Sequence, residues 1–274
     1  MKKVAIVSND KFKNKIDEDI NLQKELEING IEADIISWKD ITVDYSKYNC
    51  LILRSVWGYQ NDYENFIRWL NFLKQFNISI FNSVDIIKNN IRKDMQFEIL
   101  DKNNIPHIPT IFVKENLDIR LLNKDNVVKP IISGSGERTF KGDEVDLLSI
   151  NQVMNEKDNG LMIQPYIEEV KDGEHSIIYI DKENTHNMIR TPGVFTQKKK
   201  PFQVFDVPKK VLDLSNSVRD IKEYKDALYM RVDIVNTKEP MVMEVELTEP
   251  DLLTRNIESK EPIKKLTKAI QRRI

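Results

Sequence analysis

The chain has 274 residues, 42 basic and 44 acidic side chains, a formal net charge of −2 and 40% hydrophobic residues. That balance provides no global field to draw in nucleic acid or an anionic membrane, and Lys198-Lys199-Lys200 is the one short basic run. No apolar stretch approaches the ~20 residues that span a bilayer, residues 1–8 hold too short an apolar core for a signal peptide, and the single Cys50 excludes an internal disulfide or a cysteine-based metal site.

The first part of the chain predicts alternating strands and helices. Residues 3–8 read as a short buried strand, and residues 16–29 have helical spacing with Gly30 as the C-terminal stop. Residues 33–37 and 50–54 are further strand candidates. Asp62 can cap a helix whose Tyr63, Phe66, Ile67, Leu70, Leu73 and Phe76 keep a 3.6-residue period. Residues 79–81 complete a β-α-β-β-α-β-like order, which predicts a small parallel sheet.

Residues 92–100 predict another helix, and Asn103, Asn104, Pro106 and Pro109 punctuate the stretch after it. From Thr110 the texture changes to many strands with short links, at 110–113, 126–129, 161–164, 176–180, 187–190 and 202–207. Residues 261–274 read as a final helix with Pro262 in its first turn, where proline is tolerated. A domain boundary is expected near residues 85–90, within a soluble, ordered, cytoplasmic protein large enough for one large domain or two smaller ones.

Three segments bear on chemistry. Lys129-Pro130 ends a strand and precedes Ser133-Gly134-Ser135-Gly136-Glu137-Arg138-Thr139, which holds two of the chain's eight glycines. Such a loop lets backbone N–H groups approach phosphate oxygens, with Lys129 adding a point charge. It lacks the Gly-Lys-Ser/Thr of a Walker-A loop, and an ordinary hairpin turn has the same composition. Residues 161–167 form an apolar strand running towards Glu168, Glu169, Asp172-Gly173 and Glu174. Its edge could offer backbone groups to an adenine ring and a carboxylate to ribose, though a core strand and its turn would look alike.

The third segment is a hairpin, residues 230–235 and 241–247. Alternation puts Arg231, Asp233, Glu244 and Glu246 on one face, with Val232, Ile234, Met243, Val245 and Leu247 towards the core. Like charges side by side on a sheet repel, and a hard divalent cation with oxygen ligands would offset three converging carboxylates. A half-exposed antiparallel strand also alternates in this way. His107, His175 and His186 show no metal-ligand spacing, and no Ser-His-Asp or Cys-His arrangement can be argued.

In chain order these segments are a lysine in a helix, a lysine before a Gly/Ser loop, an apolar hinge with a following glutamate, and an Arg/Asp then Glu/Glu hairpin. That order resembles the ATP-grasp superfamily, in the glutathione-synthetase-like branch that includes the cycloserine-pathway cyclo-ligase. The resemblance covers nearly the whole chain. It is carried by Trp38-Lys39-Asp40, Leu53-Arg54-Ser55-Val56-Trp57-Gly58-Tyr59, Phe81-Asn82-Ser83, Asn90-Ile91-Arg92-Lys93 and Ile108-Pro109-Thr110. Most specific are Tyr229-Met230-Arg231-Val232-Asp233 and Met243-Glu244-Val245-Glu246-Leu247-Thr248-Glu249-Pro250.

The resemblance implies an α/β (α+β) ATP-grasp fold. Residues 1–87 would form an N-terminal parallel-sheet domain and 88–274 the ATP-grasp domain, with a lid subdomain at about 125–167. Lys93 and Lys129 would hold ATP phosphates, with Ser133, Gly134, Ser135 and Gly136 closing over them. Gln164, Tyr166 and Ile167 would line the adenine hinge, largely through backbone groups, and Glu174 would take the ribose. Asp233, Glu244 and Glu246 would bind one or two Mg²⁺, or Mn²⁺ in its place. Arg231 would face the transferring phosphoryl group, and Arg190, before the 192–201 loop, would grip phosphate or a substrate carboxylate.

Three departures fall on the substrate side: Gly58 where relatives often have aspartate, Gln203 where arginine is common, and a missing Gly-Gly pair after it. The implied function is an ATP- and Mg²⁺-dependent ligase joining a small-molecule carboxylate to an amine through an acylphosphate, on amino-acid-like substrates. A homodimer fits this kind of enzyme. A small-molecule kinase and a non-catalytic ATP-binding module remain the competing readings.

Overall fold

The computed structural model describes residues 2–134, 138–190, 203–204 and 206–274. Its first layer comprises β1 (Lys3–Ser8), α1 (Asp17–Ile28), β2 (Glu32–Ser37), β3 (Cys50–Leu53), α2 (Tyr63–Gln75) and β4 (Ile80–Phe81). The strands run parallel in the order β2-β1-β3-β4, as the alternation of strand and helix predicts. Val4 to Val7 and Cys50 to Leu53 are wholly buried, the continuous apolar run of a parallel sheet covered on both faces. Gly30 stops α1 as expected: at φ 77° it donates its N–H to the Glu27 carbonyl (3.0 Å).

Asp62 stands at the start of α2 but does not cap it. Its carboxylate takes the Lys39 ammonium (2.7 Å) and the Asn65 amide (2.6 Å), with no helix N–H bound. With φ −142° and ψ 41° its backbone leaves the extended region that aims a capping side chain at the first turn.

Two short helices, α3 (Val84–Asn90) and α4 (Lys93–Lys102), lead out of this layer. Next come β5 (Ile111–Val113), β6 (Asn126–Pro130), β7 (Phe140–Lys141), α5 (Leu147–Asn155) and β8 (Leu161–Pro165). Their strands pair antiparallel in the order β5-β8-β6-β7 over a small core of Val113, Val128, Ile150, Val153, Leu161 and Ile163.

The third sheet contains β9 (Glu174–Ile180), β10 (Glu183–Arg190) and β11 (Gln203–Val204); after α6 (Lys209–Arg219) it adds β12 (Tyr229–Val235) and β13 (Met241–Glu246), and α7 (Glu261–Arg273) closes the chain. It is antiparallel, in the order β11-β10-β9-β12-β13. One face packs on α6 through Val211, Leu214 and Val218. The other meets α7 and the first layer through Ile178, Ile180, Leu266 and Ile270. Of the strand expected over 202–207 only Gln203–Val204 lies in a strand among the described residues. No described helix is long and apolar enough to cross a membrane.

Buried amides join the layers. The Asn82 side chain donates to the Tyr229 (3.0 Å) and Leu247 (2.6 Å) carbonyls and accepts from the Leu228 N–H (2.6 Å). Asn82 is fully buried with donors and acceptor all satisfied, so it fixes the first layer against β12.

Candidate active site

The hairpin of β12 and β13 brings the predicted charges together. Arg231 stands opposite Glu246 and Asp233 opposite Glu244, so all four side chains share one face. Met243 departs from the expected alternation. The register shifts between Asp233 and Ile234, so Val242 pairs with Ile234 and Met243 is the extra residue of a bulge. Val242, Val245 and Leu247 fill the core, while Met243 turns to line the cleft beside Glu244.

β13 is an edge strand, and its outer side is bound by side chains. The Asn90 amide donates to the Val245 carbonyl (2.6 Å) and accepts from the Leu247 N–H (2.8 Å). Gln96 donates to the Val245 carbonyl (2.7 Å) and accepts from the Val245 N–H (3.0 Å). The Val242 N–H donates to the Pro106 carbonyl (2.9 Å). These contacts hold Glu244 and Glu246 in place where a bare edge would fray.

Carboxylate oxygens of Asp233, Glu244 and Glu246 lie within 4.8 Å of one another. This all-oxygen donor set fits a hard divalent cation. Each member also has a cationic neighbour. Arg231 reaches Glu246 (2.7 Å) and Asp233 (2.9 Å), Arg190 reaches Asp233 (2.7 Å), and Lys93 pairs directly with Glu244. Burial opposes ionisation of Asp233, but Arg190 and Arg231 outweigh it and hold its carboxyl at about 2. Glu244 is likewise drawn down, as Lys93 and Lys129 overcome its burial. Glu246 goes the other way: burial, only partly offset by Arg231, pushes it up to about 7.

The hairpin forms one wall of a cleft of about 750 Å³. Lys93 and Lys129 enter it from α4 and β6, and Ser133 and Gly134 lie above them. Burial pushes the Lys129 ammonium below its usual range, with Glu244 working in the opposite direction. Ser135, Gly136 and the 192–201 loop lie outside the described residues.

Across the cleft, Gln164, Tyr166 and Ile167 form the wall at the end of β8. The Tyr166 N–H already donates to the Asp125 carbonyl (2.7 Å), and the Gln164 amide donates to Thr110 (2.9 Å). Glu174, read from sequence as following a turn, is the first residue of β9 and pairs with Arg190 (2.5 Å). Arg190 also donates to the Ser176 hydroxyl (2.6 Å), so it knits β9, β10 and β12 together beneath the cleft. Every described residue assigned a site role from sequence therefore lies in this cleft or in the acidic cluster on its floor.

Sequence reasoning passed over part of the lining. Glu249, just beyond β13, lines the cleft with Trp57 and Tyr59 from the loop after β3. The Trp57 ring N–H donates to the Glu249 carbonyl oxygen (3.3 Å). Both residues stand in segments that carry the family resemblance, and only their position in the fold reveals the shared wall. The histidines serve the framework instead: His186 Nε2 donates to the Leu252 carbonyl (2.6 Å), and His107 pairs with Asp101 (2.8 Å).

Comparison with known proteins gives two family matches. Residues 107–261, more than half of the chain, match the family described as prokaryotic glutathione synthetase, ATP-grasp domain. Residues 4–82 match the N-terminal domain of D-cycloserine synthetase DcsG. Among solved structures, D-cycloserine synthetase DcsG superposes with a TM-score of 0.84 at 20% identity, covering 99% of both chains. D-alanine–D-alanine ligase from Bacillus anthracis gives 0.69 at 19% identity, covering 99% of this chain and 97% of that one. A RimK domain ATP-grasp protein from Sphaerobacter thermophilus gives 0.71 at 11% identity, covering 97% and 98%. These likenesses establish the fold. No curated protein matches by sequence.

Proposed function

The chain belongs to the prokaryotic glutathione synthetase ATP-grasp family and is an ATP-dependent ligase of that kind; on that premise we propose that it joins a small-molecule carboxylate to an amine through an acylphosphate, using ATP and Mg²⁺. The observation that carries the proposal is the acidic trio Asp233, Glu244 and Glu246 set against Lys93, Lys129 and Arg231 in one cleft. In its domain plan, residues 1–87 support the cleft, 88–274 form the ATP-grasp unit, and about 125–167 act as lid. The two named relatives, a D-cycloserine synthetase and a D-alanine–D-alanine ligase, support amino-acid-like substrates.

A carboxylate does not react with an amine at neutral pH because oxide is a very poor leaving group. Attack of a carboxylate oxygen on the γ-phosphorus of ATP breaks the bond to ADP and forms an acylphosphate. The amine nitrogen then bonds to the acyl carbon, phosphate departs with the electron pair of the broken carbon–oxygen bond, and the nitrogen gives up a proton to phosphate or water. Lys93 and Lys129 would bind phosphate oxygens from two sides, and Arg231 would meet the charge that develops during transfer. A purine edge at the hinge would meet the Ile167 N–H, since Asp125 already holds that of Tyr166. Ser133 and Gly134, with the rest of their loop, would keep water from the acylphosphate. Asp233, Glu244 and Glu246 would hold the Mg²⁺, which when bound neutralises phosphate oxygens.

A screen of ADP and phosphate release over amino acids and small carboxylates, singly and in pairs, tests this reading. Release that requires both an acid and an amine, with a new amide as product, supports it. ADP release with a stable phosphorylated product would make the protein a small-molecule kinase, and nucleotide binding without any turnover would make it a binding module.

A further inference from the structure

We propose that Glu249 selects the substrate by its positive charge: its carboxylate pairs with an ammonium group on the substrate, held along the wall formed with Trp57. This inference rests on the ligase reading and adds the residue that recognises the amino group of the substrate.

Almost every other acidic group at the cleft has its own cation. Glu244 has Lys93, Glu246 has Arg231, Glu174 has Arg190, Asp251 has Arg255 (2.7 Å), and Glu18 has Arg54 (3.4 Å). Asp17 is exposed and solvated. Glu249 is half-buried, and among the described residues no hydrogen bond or ion pair within 4.0 Å reaches its carboxylate. Nor does it belong to the acidic cluster suited to a metal. A carboxylate taken partly out of water without a partner is costly, so a cation supplied by the ligand is what the site lacks.

Its surroundings suit an ammonium. The backbone at 249–250 is fixed from both sides, by the Trp57 ring N–H on the Glu249 carbonyl (3.3 Å) and by Arg54 on the Pro250 carbonyl (3.1 Å). The carboxylate is therefore presented from a rigid support. Trp57 is itself braced edge-on by Phe12 (5.3 Å between ring centres), so the wall it shares with Glu249 is held in place by packing as well as by that hydrogen bond. Burial and the nearby Glu246 charge push the Glu249 carboxyl up to about 8. An ammonium brought within hydrogen-bond reach favours the ionised form and reverses that shift. Glu249 stands three residues beyond Glu246, so the amino group would sit close to the acidic cluster where the acid is activated.

The test pairs a change in substrate with a change in enzyme. The full-length protein, ATP and Mg²⁺ are combined with neutral hydroxylamine as nucleophile, and acyl-hydroxamate and ADP are measured. The acids are matched pairs with and without the amino group: alanine and propionate, serine and 3-hydroxypropionate, glutamate and glutarate, with both hands of each amino acid. The wild-type protein is expected to prefer the amino acid of at least one pair by on the order of 100-fold in kcat/KM, as removing one member of a buried charge pair commonly costs. Glu249→Gln should bring that preference within a few-fold, chiefly through KM, while ATP affinity stays unchanged, and Glu249→Asp should restore part of it.

Equal use of both members of every pair by the wild type would overturn the proposal, and so would a preference undiminished in Glu249→Gln. Equal loss of hydroxamate from both members would move Glu249 into the nucleotide machinery and also overturn it. No ADP and no hydroxamate from any acid with the wild type would strike the ligase reading itself, and the proposal would fall with it.

Discussion

Lys93, the first residue of α4, forms a direct ion pair with Glu244 on β13, 151 residues further along the chain. The lysine expected to hold phosphate and the glutamate expected to hold metal thus neutralise each other. Phosphate can draw Lys93 away only if something replaces it on Glu244, and a cation can take Glu244 only if Lys93 finds another anion. Nucleotide and Mg²⁺ should therefore bind cooperatively. Calorimetry should show Mg²⁺ binding at least tenfold tighter with a non-hydrolysable ATP analogue present than without it. Equal affinities would show that the ion pair does not gate the metal site.

Glu244→Gln should lower Mg²⁺-dependent ADP formation by about 10²–10³-fold, the usual cost of one charge contact in such a transition state. A neutral amide still accepts a hydrogen bond from Lys93, so circular dichroism should be unchanged. Near-normal turnover would remove Glu244 from the metal set.

Lys129→Met should weaken ATP binding about tenfold and yet stabilise the unliganded protein. Lys129 is half-buried, burial pushes its ammonium pKa down, and among the described residues no hydrogen bond or ion pair reaches it. Replacing a partly buried ammonium that no carboxylate contacts directly with an apolar chain of similar length is worth roughly 0.5–1.5 kcal/mol, net of the longer-range attraction to Glu244 that is lost. Opposite shifts in nucleotide affinity and melting temperature are the signature, and an unchanged ATP affinity would leave the loop after Lys129 as only a turn.

Asn90→Ala should cost about 2–4 kcal/mol in urea denaturation, because it removes one of two donors from the Val245 carbonyl and leaves the buried Leu247 and Thr248 N–H groups at the end of β13 unpaired. Activity should fall as well, since β13 carries Glu244 and Glu246. A loss below about 0.5 kcal/mol would mean that pairing with β12 alone holds the strand.

Glu249, pushed up to about 8 by burial and Glu246, sets a pH dependence for the unliganded protein. The folded protein keeps a proton that the unfolded chain releases above its ordinary carboxylate range. The stability this contributes is fully present below about pH 4.5 and is lost as pH rises towards 8. Unfolding free energy should therefore decline between pH 5 and 8, with on the order of 2–4 kcal/mol of the decline from Glu249 and a further part from Glu246 at about 7, and Glu249→Gln should remove the first share. An identical slope in the variant would assign the proton elsewhere.

Much of this architecture can be read before any coordinates. The parallel first sheet follows from uninterrupted apolar strands alternating with amphipathic helices, and the hairpin from a period of two. Helices α3 and α5 are short segments that escape a reading by periodicity, whereas α6 buries Val211, Leu214, Ser215 and Val218 at helical spacing and is legible, though it is not among the predicted elements. The bulge at Met243 is invisible too, because one extra residue changes a register without changing composition.

Taken alone, the chain determined most of its strands and of its helices, the family to which it belongs, and that Arg231, Asp233, Glu244 and Glu246 share a face, while β7 is not among the predicted elements. The elements and the shared face are properties of spacing along a backbone, whereas the family is carried by the resemblance of particular segments. The tertiary structure decided which charge answers which: Lys93 on Glu244, Arg190 on Asp233 and Glu174, and none among the described residues on Glu249. Pairing energies depend on separation and on the removal of water, and both are set only when distant segments pack together.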